Sequence, residues 1–156
     1  NQQILQVKNL LQGKYYLFID EIKVGAYTAA ELQNGINLAT DTLTPQYKQS
    51  LEVMKYCNDY RNVYGDLRNI AVVEYRSLQD YNGPDDLESK KNFLNEKLVK
   101  IKGESYYDYV KQNCDAYPAL KLKEPQLNEQ LMVIRDAIYK ANQPKIHNYK
   151  IVPEKQ

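Results

Sequence analysis

Between Pro45 and Pro84 the sequence contains no proline, and this long interval constrains the fold more than any other feature. Thr44 and Pro45 open the interval with a hydroxyl suited to an N-cap and a proline suited to the first helical position. Apolar residues then recur at steps of three and four, as they do along the buried face of a helix. The members of this stripe are Val53, Cys57, Tyr60, Tyr64, Leu67, Ala71, Tyr75 and Leu78. The spacing predicts one helix of about 35 residues.

The first 27 residues have the pattern of short strands instead. An apolar segment around Leu5 precedes a turn at Gly13, and two β-branched and aromatic runs follow at residues 15–19 and 22–27. Both faces of the 15–19 run are apolar, so we expect both to be covered. The pattern predicts a small antiparallel β-meander within residues 1–27.

Further helix signals occupy the rest of the chain. Thr28 and Glu31 have the spacing of a capping box, and Gly35 is placed to end the short helix that follows. The other predicted segments are a helix at 85–100, a helix at 105–114, a loop at 117–125 and a helix from 127 to 142. We therefore expect an α+β fold that is mainly α, with a helical bundle after the sheet. It forms a single domain over residues 1–156, with the β-meander at 1–27, helices at 28–142 and an extended tail at 143–156.

Charge and hydropathy exclude several partners. The sequence has 21 Lys and Arg against 20 Asp and Glu, a net charge of +1. Nucleic acid and anionic membranes are bound through clustered surplus Lys and Arg, so neither partner is predicted. No apolar run approaches the ~18 residues of a membrane span, and the start of the sequence lacks the sections of a signal peptide. The chain begins as though it continues a longer one.

Side chains that could carry chemistry are few. Cys57 and Cys114 stand far apart without a neighbouring His, which disfavours zinc and leaves two buried hydrophobes as the favoured interpretation over a disulfide. His147 is the single His, and no acidic residue lies within three positions of it. We interpret it as a tail residue that docks on a neighbouring surface. Asp85 and Asp86 suit the start of a helix, where negative charge complements the dipole. The residues therefore assign no catalytic, cofactor-binding or metal site.

The aromatic content has two interpretations that the sequence leaves open. There are 15 Tyr, 2 Phe and no Trp. Tyr56, Tyr60 and Tyr64 recur at every fourth position, so they could present a stacking platform for a sugar. They could equally form the half-polar rim of a packing face, because the apolar stripe runs through the same positions.

The first segment also carries a longer pattern. The stretch NQQILQVKNLLQGKYYLFIDEIKVGAYTAAELQNGINLATDTLTP resembles the segment that follows the catalytic core in a group of bacterial SGNH/GDSL-type hydrolases. Matching positions include Gly13, Asp20, Gly25 and Asn37, and Glu21 departs from the glycine that is common there. The ending IYKANQPKIHNYKIVP is similar to the ending of that group over a looser match.

The resemblance implies an accessory, C-terminal helical region of a GDSL-like lipase or esterase, which packs on and supports an upstream SGNH catalytic domain. The parent would be an extracytoplasmic bacterial serine ester hydrolase, secreted or periplasmic, with a carbohydrate ester as a candidate substrate. This chain alone would be inactive and would need no cofactor. Asn37 and His147 would border the cleft or the interdomain contact. The alternative function is a free-standing module that binds carbohydrate or protein through exposed Tyr.

Overall fold

Helices dominate the computed structural model, which describes residues 2–155. The fold is α+β and mainly α, as predicted. Its elements, in chain order, are β1 (Ile4–Leu5), β2 (Lys14–Ile19), β3 (Ile22–Thr28), α1 (Ala29–Asn34), β4 (Ile36–Asn37), α2 (Pro45–Val72), a π-helical turn (Val73–Ser77), α3 (Leu87–Lys100), α4 (Tyr107–Ala141) and β5 (Tyr149–Pro153).

The described residues divide into two compact units. The first unit combines residues 2–55 with 138–155, and the second comprises residues 56–137. The chain passes from the first unit to the second within α2 and returns within α4. The expectation of a single domain over residues 1–156 stays a prediction.

The main sheet of the first unit has the strand order β3-β2-β5, and both pairings are antiparallel. The predicted meander at 1–27 is wrong in its outer strand, because β1 pairs with β4 in a separate two-stranded sheet. The predicted extended tail at 143–156 contains β5, which covers the other edge of β2. Leu17 lies opposite Ile151 in this pairing. Periodicity reports which segments are extended, but it carries no information on partners so far apart in sequence.

One face of β2 forms the core of the first unit. Leu17 and Ile19 are buried there with Val24 and Leu38. The opposite face is only half-buried, and Lys23 places its Nζ 3.5 Å from the ring centroid of Tyr16. The expectation that both faces are covered is therefore met fully on one side and partly on the other.

Helix α1 begins as the sequence predicts. The Thr28 hydroxyl accepts a hydrogen bond from the Glu31 N–H at 3.2 Å, and the Glu31 carboxylate accepts one from the Thr28 N–H at 2.7 Å. These reciprocal bonds satisfy two donors that a helix start leaves open. Gly35 ends the helix at a φ of +95°, a conformation that favours glycine.

The core of the second unit lies among α2, α3 and α4. Its buried members are Val63, Ile70, Val73, Leu78, Leu94, Leu98, Cys114, Tyr117 and Leu127. The buried face of α2 differs from the predicted stripe, since Cys57, Tyr64 and Tyr75 are exposed. The π-helical turn shifts the phase of the last residues, and it places Tyr75 at 78% exposure.

Helix α4 runs without interruption through both prolines that the sequence analysis placed in a loop. The predicted separate helix at 105–114, loop at 117–125 and helix from 127 to 142 are one element, with Pro118 and Pro125 inside it. An interior proline costs a helix about 3 kcal/mol. Burial of side chains such as Leu127, which contributes about 1.5–3 kcal/mol, counters part of that cost. The prolines are visible in the local sequence, but the burial of the neighbouring side chains depends on the rest of the fold.

Candidate functional site

Asn37 lies in β4, and its side chain accepts hydrogen bonds from backbone N–H groups. Its Oδ1 accepts hydrogen bonds from the N–H of Gln3 at 3.0 Å and the N–H of Ala39 at 3.1 Å. These bonds hold the short β1–β4 pair together and shape the turn that follows. The arrangement accounts for an asparagine here without a ligand.

His147 lies between the end of α4 and the start of β5, and it contacts the hairpin turn between β2 and β3. Its Nδ1 is 2.5 Å from Oδ2 of Asp20, 127 residues away in the sequence. The imidazole is 10% exposed, whereas the carboxylate is 36% exposed. The interpretation of His147 as a tail residue docked on a neighbouring surface agrees with this position.

Asp20 is held on both sides by the segment before β5. Its Oδ1 accepts from the Asn148 N–H at 2.9 Å, and its own N–H donates to the Asn148 carbonyl at 3.0 Å. The hydrogen bond with His147, followed by that from Asn148, lowers the pKa of Asp20 below its ordinary value. Asp20 therefore stays ionised, and its negative charge faces the imidazole.

The ionised carboxylate fixes the proton on His147. A carboxylate only accepts hydrogen bonds, so Nδ1 of His147 must be the donor. In the neutral ring this leaves Nε2 as the proton acceptor. Nε2 is buried and has no hydrogen-bond partner among residues 2–155. The pair is thus an oriented imidazole whose second nitrogen is buried and unpaired within residues 2–155.

A groove of about 310 Å³ lies beside this pair. Its lining is Gln46, Gln49, Pro144, Lys145, His147 and Tyr149. The Gln46 amide donates to the Tyr149 hydroxyl at 2.7 Å, and its Oε1 is a second buried acceptor without a partner in the described chain. We call Asp20, His147, Gln46 and Tyr149 the Asp20–His147 site.

The two candidate residues belong to the same unit but to different places in it. Gln3 links Asn37 to the groove, since its N–H donates to Asn37 and its side-chain amide donates to the Tyr149 hydroxyl at 3.4 Å. Asn37 does not line the groove beside His147. The structure therefore does not bring the two candidate residues to one cavity.

Sequence reasoning missed Asp20, Gln46 and Tyr149. Asp20 and Glu21 both have positive φ, 49° and 64°, which is the geometry of a tight hairpin turn. An Asp-containing turn between two strands was visible in the sequence as a turn signal. Nothing local, however, pairs that turn with a histidine near the other end of the chain.

The acidic pair Asp85 and Asp86 lies at a helix start as expected, whereas the expectation of two buried cysteines is wrong for Cys57. Asp86 caps α3 by accepting from the Ser89 N–H at 2.8 Å, and Asp85 pairs with Lys90. Cys57 and Cys114 are both free thiols, the first exposed and the second buried. Burial raises the pKa of the Cys114 thiol, so it is a poor nucleophile.

Residues 2–155 hold neither a cluster of metal ligands nor a membrane-spanning helix. Within residues 2–155, no three His, Cys, Asp or Glu side chains are grouped as ligands for a metal ion. None of the helices in that range combines the length and apolar character that a membrane crossing requires.

Comparison with known proteins gives one structural likeness. No family model matches the sequence, and no curated protein matches it. The solved structure of a gut microbial diltiazem-metabolizing enzyme is similar to this chain, with a TM-score of 0.75 and 25% sequence identity. The likeness covers 99% of this chain and 34% of that one, so the chain spans about a third of the length of the enzyme that it matches.

This likeness overturns the expected resemblance to SGNH/GDSL-type hydrolases. The structure that shares the fold is described as a diltiazem-metabolizing enzyme, so recognition as the C-terminal region of a GDSL-like lipase or esterase is wrong. The misleading pattern lies mainly in residues 1–45, where a hairpin, a capping box and a turn have the same sequence requirements in unrelated proteins. The extracytoplasmic location rested on that resemblance alone and stays a prediction.

Proposed function

We propose that this chain is an accessory region of a larger enzyme that acts on small molecules, and that it packs on and supports the catalytic region. The observation that carries the proposal is the match of 99% of this chain to 34% of a diltiazem-metabolizing enzyme. A region of that size leaves about two thirds of the enzyme to hold the chemistry.

The chemistry of the Asp20–His147 site supports an accessory role. An imidazole oriented by a carboxylate can accept a proton at Nε2, but group transfer also needs a nucleophile or an activated water in reach. Besides the imidazole itself, the side chains that line the adjacent groove are two amides, a lysine, a proline and a phenol, without the hydroxyl of a serine or threonine or the thiol of a cysteine. Any such group has to come from outside this groove.

The surface around the same site is suited to contact with another protein region. Ile146, next to His147, is 96% exposed. In the groove, Gln46 Oε1 and His147 Nε2 are buried acceptors without a partner among residues 2–155. Buried polar atoms without a partner are uncommon in folded proteins, which supports a partner that completes this surface. We place the contact with the catalytic region here.

Deletion of this region from the complete protein tests the proposal. We would sequence the DNA adjoining the coding region of these residues, produce the complete protein and a variant that lacks residues 1–156, and compare melting temperature and diltiazem turnover by mass spectrometry. The expected result is that deletion lowers the melting temperature of what remains and lowers any turnover. A gene that encodes these residues alone, turnover by the isolated chain, or a deletion without effect on either quantity would each contradict the proposal.

A further inference from the structure

A polar groove on the second unit is independent of the Asp20–His147 site. It has a volume of about 420 Å³ and lies between α2 and α4. Its lining is Gly65, Asp66, Arg68, Asn69, Val72, Tyr109, Gln112, Asn113, Ala116 and Leu120. A volume of this size is within the range of small-ligand sites.

Two hydrogen-bonded asparagines join α2 and α4 at the floor of the groove. The Asn69 side-chain amide donates to Asn113 Oδ1 at 2.6 Å, and the Asn113 amide donates to the Tyr109 carbonyl at 2.8 Å. This chain of bonds fixes the orientation of both side chains and so the shape of the floor. Asn69 Oδ1 is buried and does not face a ligand in the groove.

Exposed aromatic side chains lie in and beside the groove, near the two asparagines. Tyr109 is 55% exposed and lines the groove, and Tyr106, one turn earlier, is 50% exposed. Both line a smaller cavity of about 190 Å³ that shares Val72, Tyr109 and Asn113 with the groove. Exposed tyrosine rings offer flat apolar faces with a polar edge, which suits the C–H face of a sugar ring.

Charge in the groove points to a neutral ligand. Asp66 and Arg68 bring one charge of each sign, and Gln112 adds a planar amide. The Gln112 amide has two donors and one acceptor, so it can hydrogen-bond to neighbouring hydroxyls of a ligand. We propose that this groove binds a neutral carbohydrate, with Tyr109 stacked on the sugar and the Gln112 amide hydrogen-bonded to its hydroxyls.

Gly65 makes the groove easy to block. A Cβ added there meets no atom within 4 Å, so a side chain can start from this position without a clash at its first atom. Gly65→Phe would fill the groove, whereas Gly65→Ala would leave most of it open and improve helix propensity. Tyr109→Ala removes the stacking surface, and Tyr75→Ala removes an exposed tyrosine that does not line the groove.

Affinity electrophoresis of the full chain in gels that contain β-glucan, xylan, galactomannan or pullulan tests the inference. We expect at least one polysaccharide to retard the protein. Gly65→Phe should abolish retardation and Tyr109→Ala should weaken affinity at least tenfold, with Gly65→Ala and Tyr75→Ala unchanged. Circular dichroism verifies that each variant folds. If Gly65→Phe does not fold, the result for Tyr109→Ala alone tests the proposal. Absence of retardation by all four polysaccharides, or retardation that survives both groove variants, would overturn the proposal.

Discussion

The imidazole of His147 and the carboxylate of Asp20 lie 2.5 Å apart and join the two ends of the chain. The contact fastens the segment before β5 to the turn of the β2–β3 hairpin, and two hydrogen bonds between Asp20 and Asn148 reinforce it. Asp20 adopts a positive φ of 49°, which Asp tolerates better than most residues. The turn conformation and the hydrogen bond to His147 thus depend on the same residue.

Asp20→Asn removes the charge and keeps a residue that tolerates this backbone conformation. Because the folded state lowers the pKa of Asp20, the contribution of its carboxylate to stability is present above the ordinary Asp pKa. It is lost as pH falls through the lowered pKa. We expect the unfolding free energy of the wild type to fall more steeply at acid pH than that of Asp20→Asn. Urea unfolding from pH 2 to 7 measures both curves.

Asp136→Asn is the matched control for that experiment. Asp136 pairs with its neighbour Arg135 in an exposed contact, and such pairs contribute little. Its acid profile should follow that of the wild type. If Asp20→Asn also follows the wild type, the His147 contact does not stabilise the fold.

Glu21→Gly should stabilise the protein by about 1 kcal/mol. Glu21 has a φ of +64°, a conformation that costs a residue with a Cβ roughly 1–2 kcal/mol and glycine much less. Thermal unfolding followed by circular dichroism measures the change. Glu21→Ala retains the Cβ and should give no such gain; equal gains for both variants would assign the effect to loss of the glutamate side chain.

Thr28→Ala should destabilise the protein by about 1 kcal/mol, since it removes the N-cap half of the capping box. Thr42 is an exposed threonine outside that box, so Thr42→Ala should change the unfolding free energy by less than about 0.5 kcal/mol. Urea denaturation distinguishes the two. Similar losses for both variants would show that the cap is unimportant.

The raised pKa of Tyr117 predicts that the protein loses stability at alkaline pH. Burial, together with a hydrogen bond from its hydroxyl to Glu74 at 3.0 Å, raises the pKa of Tyr117 to about 12. In the unfolded chain tyrosine ionises near its ordinary value, so the unfolded state loses its proton first and stability falls as pH rises from about 10 to about 12. Tyr117→Phe should flatten this decline, and the exposed Tyr75→Phe should not. Parallel curves for the two variants would contradict the assignment.

Much of the local structure was predictable because its causes are local. The Thr28–Glu31 capping box and the Thr44–Pro45 helix start each need only a few neighbouring residues, and both start helices in the structure. The strand β5 and the continuity of α4 through Pro118 depend instead on partners far away in sequence. Local patterns cannot report such partners.

The candidate site was predictable to a smaller extent. The sequence singled out His147, but its acidic partner lies 127 residues away in a hairpin turn. Gln46 carried no signal at all, because its role follows from an unmatched buried oxygen beside Tyr149. Residue type identifies groups that could act, and only the pairing of strands determines which of them meet.

Direct binding of this chain to the rest of its gene product tests the accessory role most directly. We would titrate the separately produced remainder with the 156-residue chain by isothermal calorimetry, and compare Ile146→Asp with Leu122→Asp, since Ile146 and Leu122 are both exposed, at 96% and 73%. The proposal predicts saturable one-to-one binding that Ile146→Asp weakens at least tenfold and Leu122→Asp leaves unchanged. Absence of binding, or equal affinity for both variants and the wild type, would contradict it.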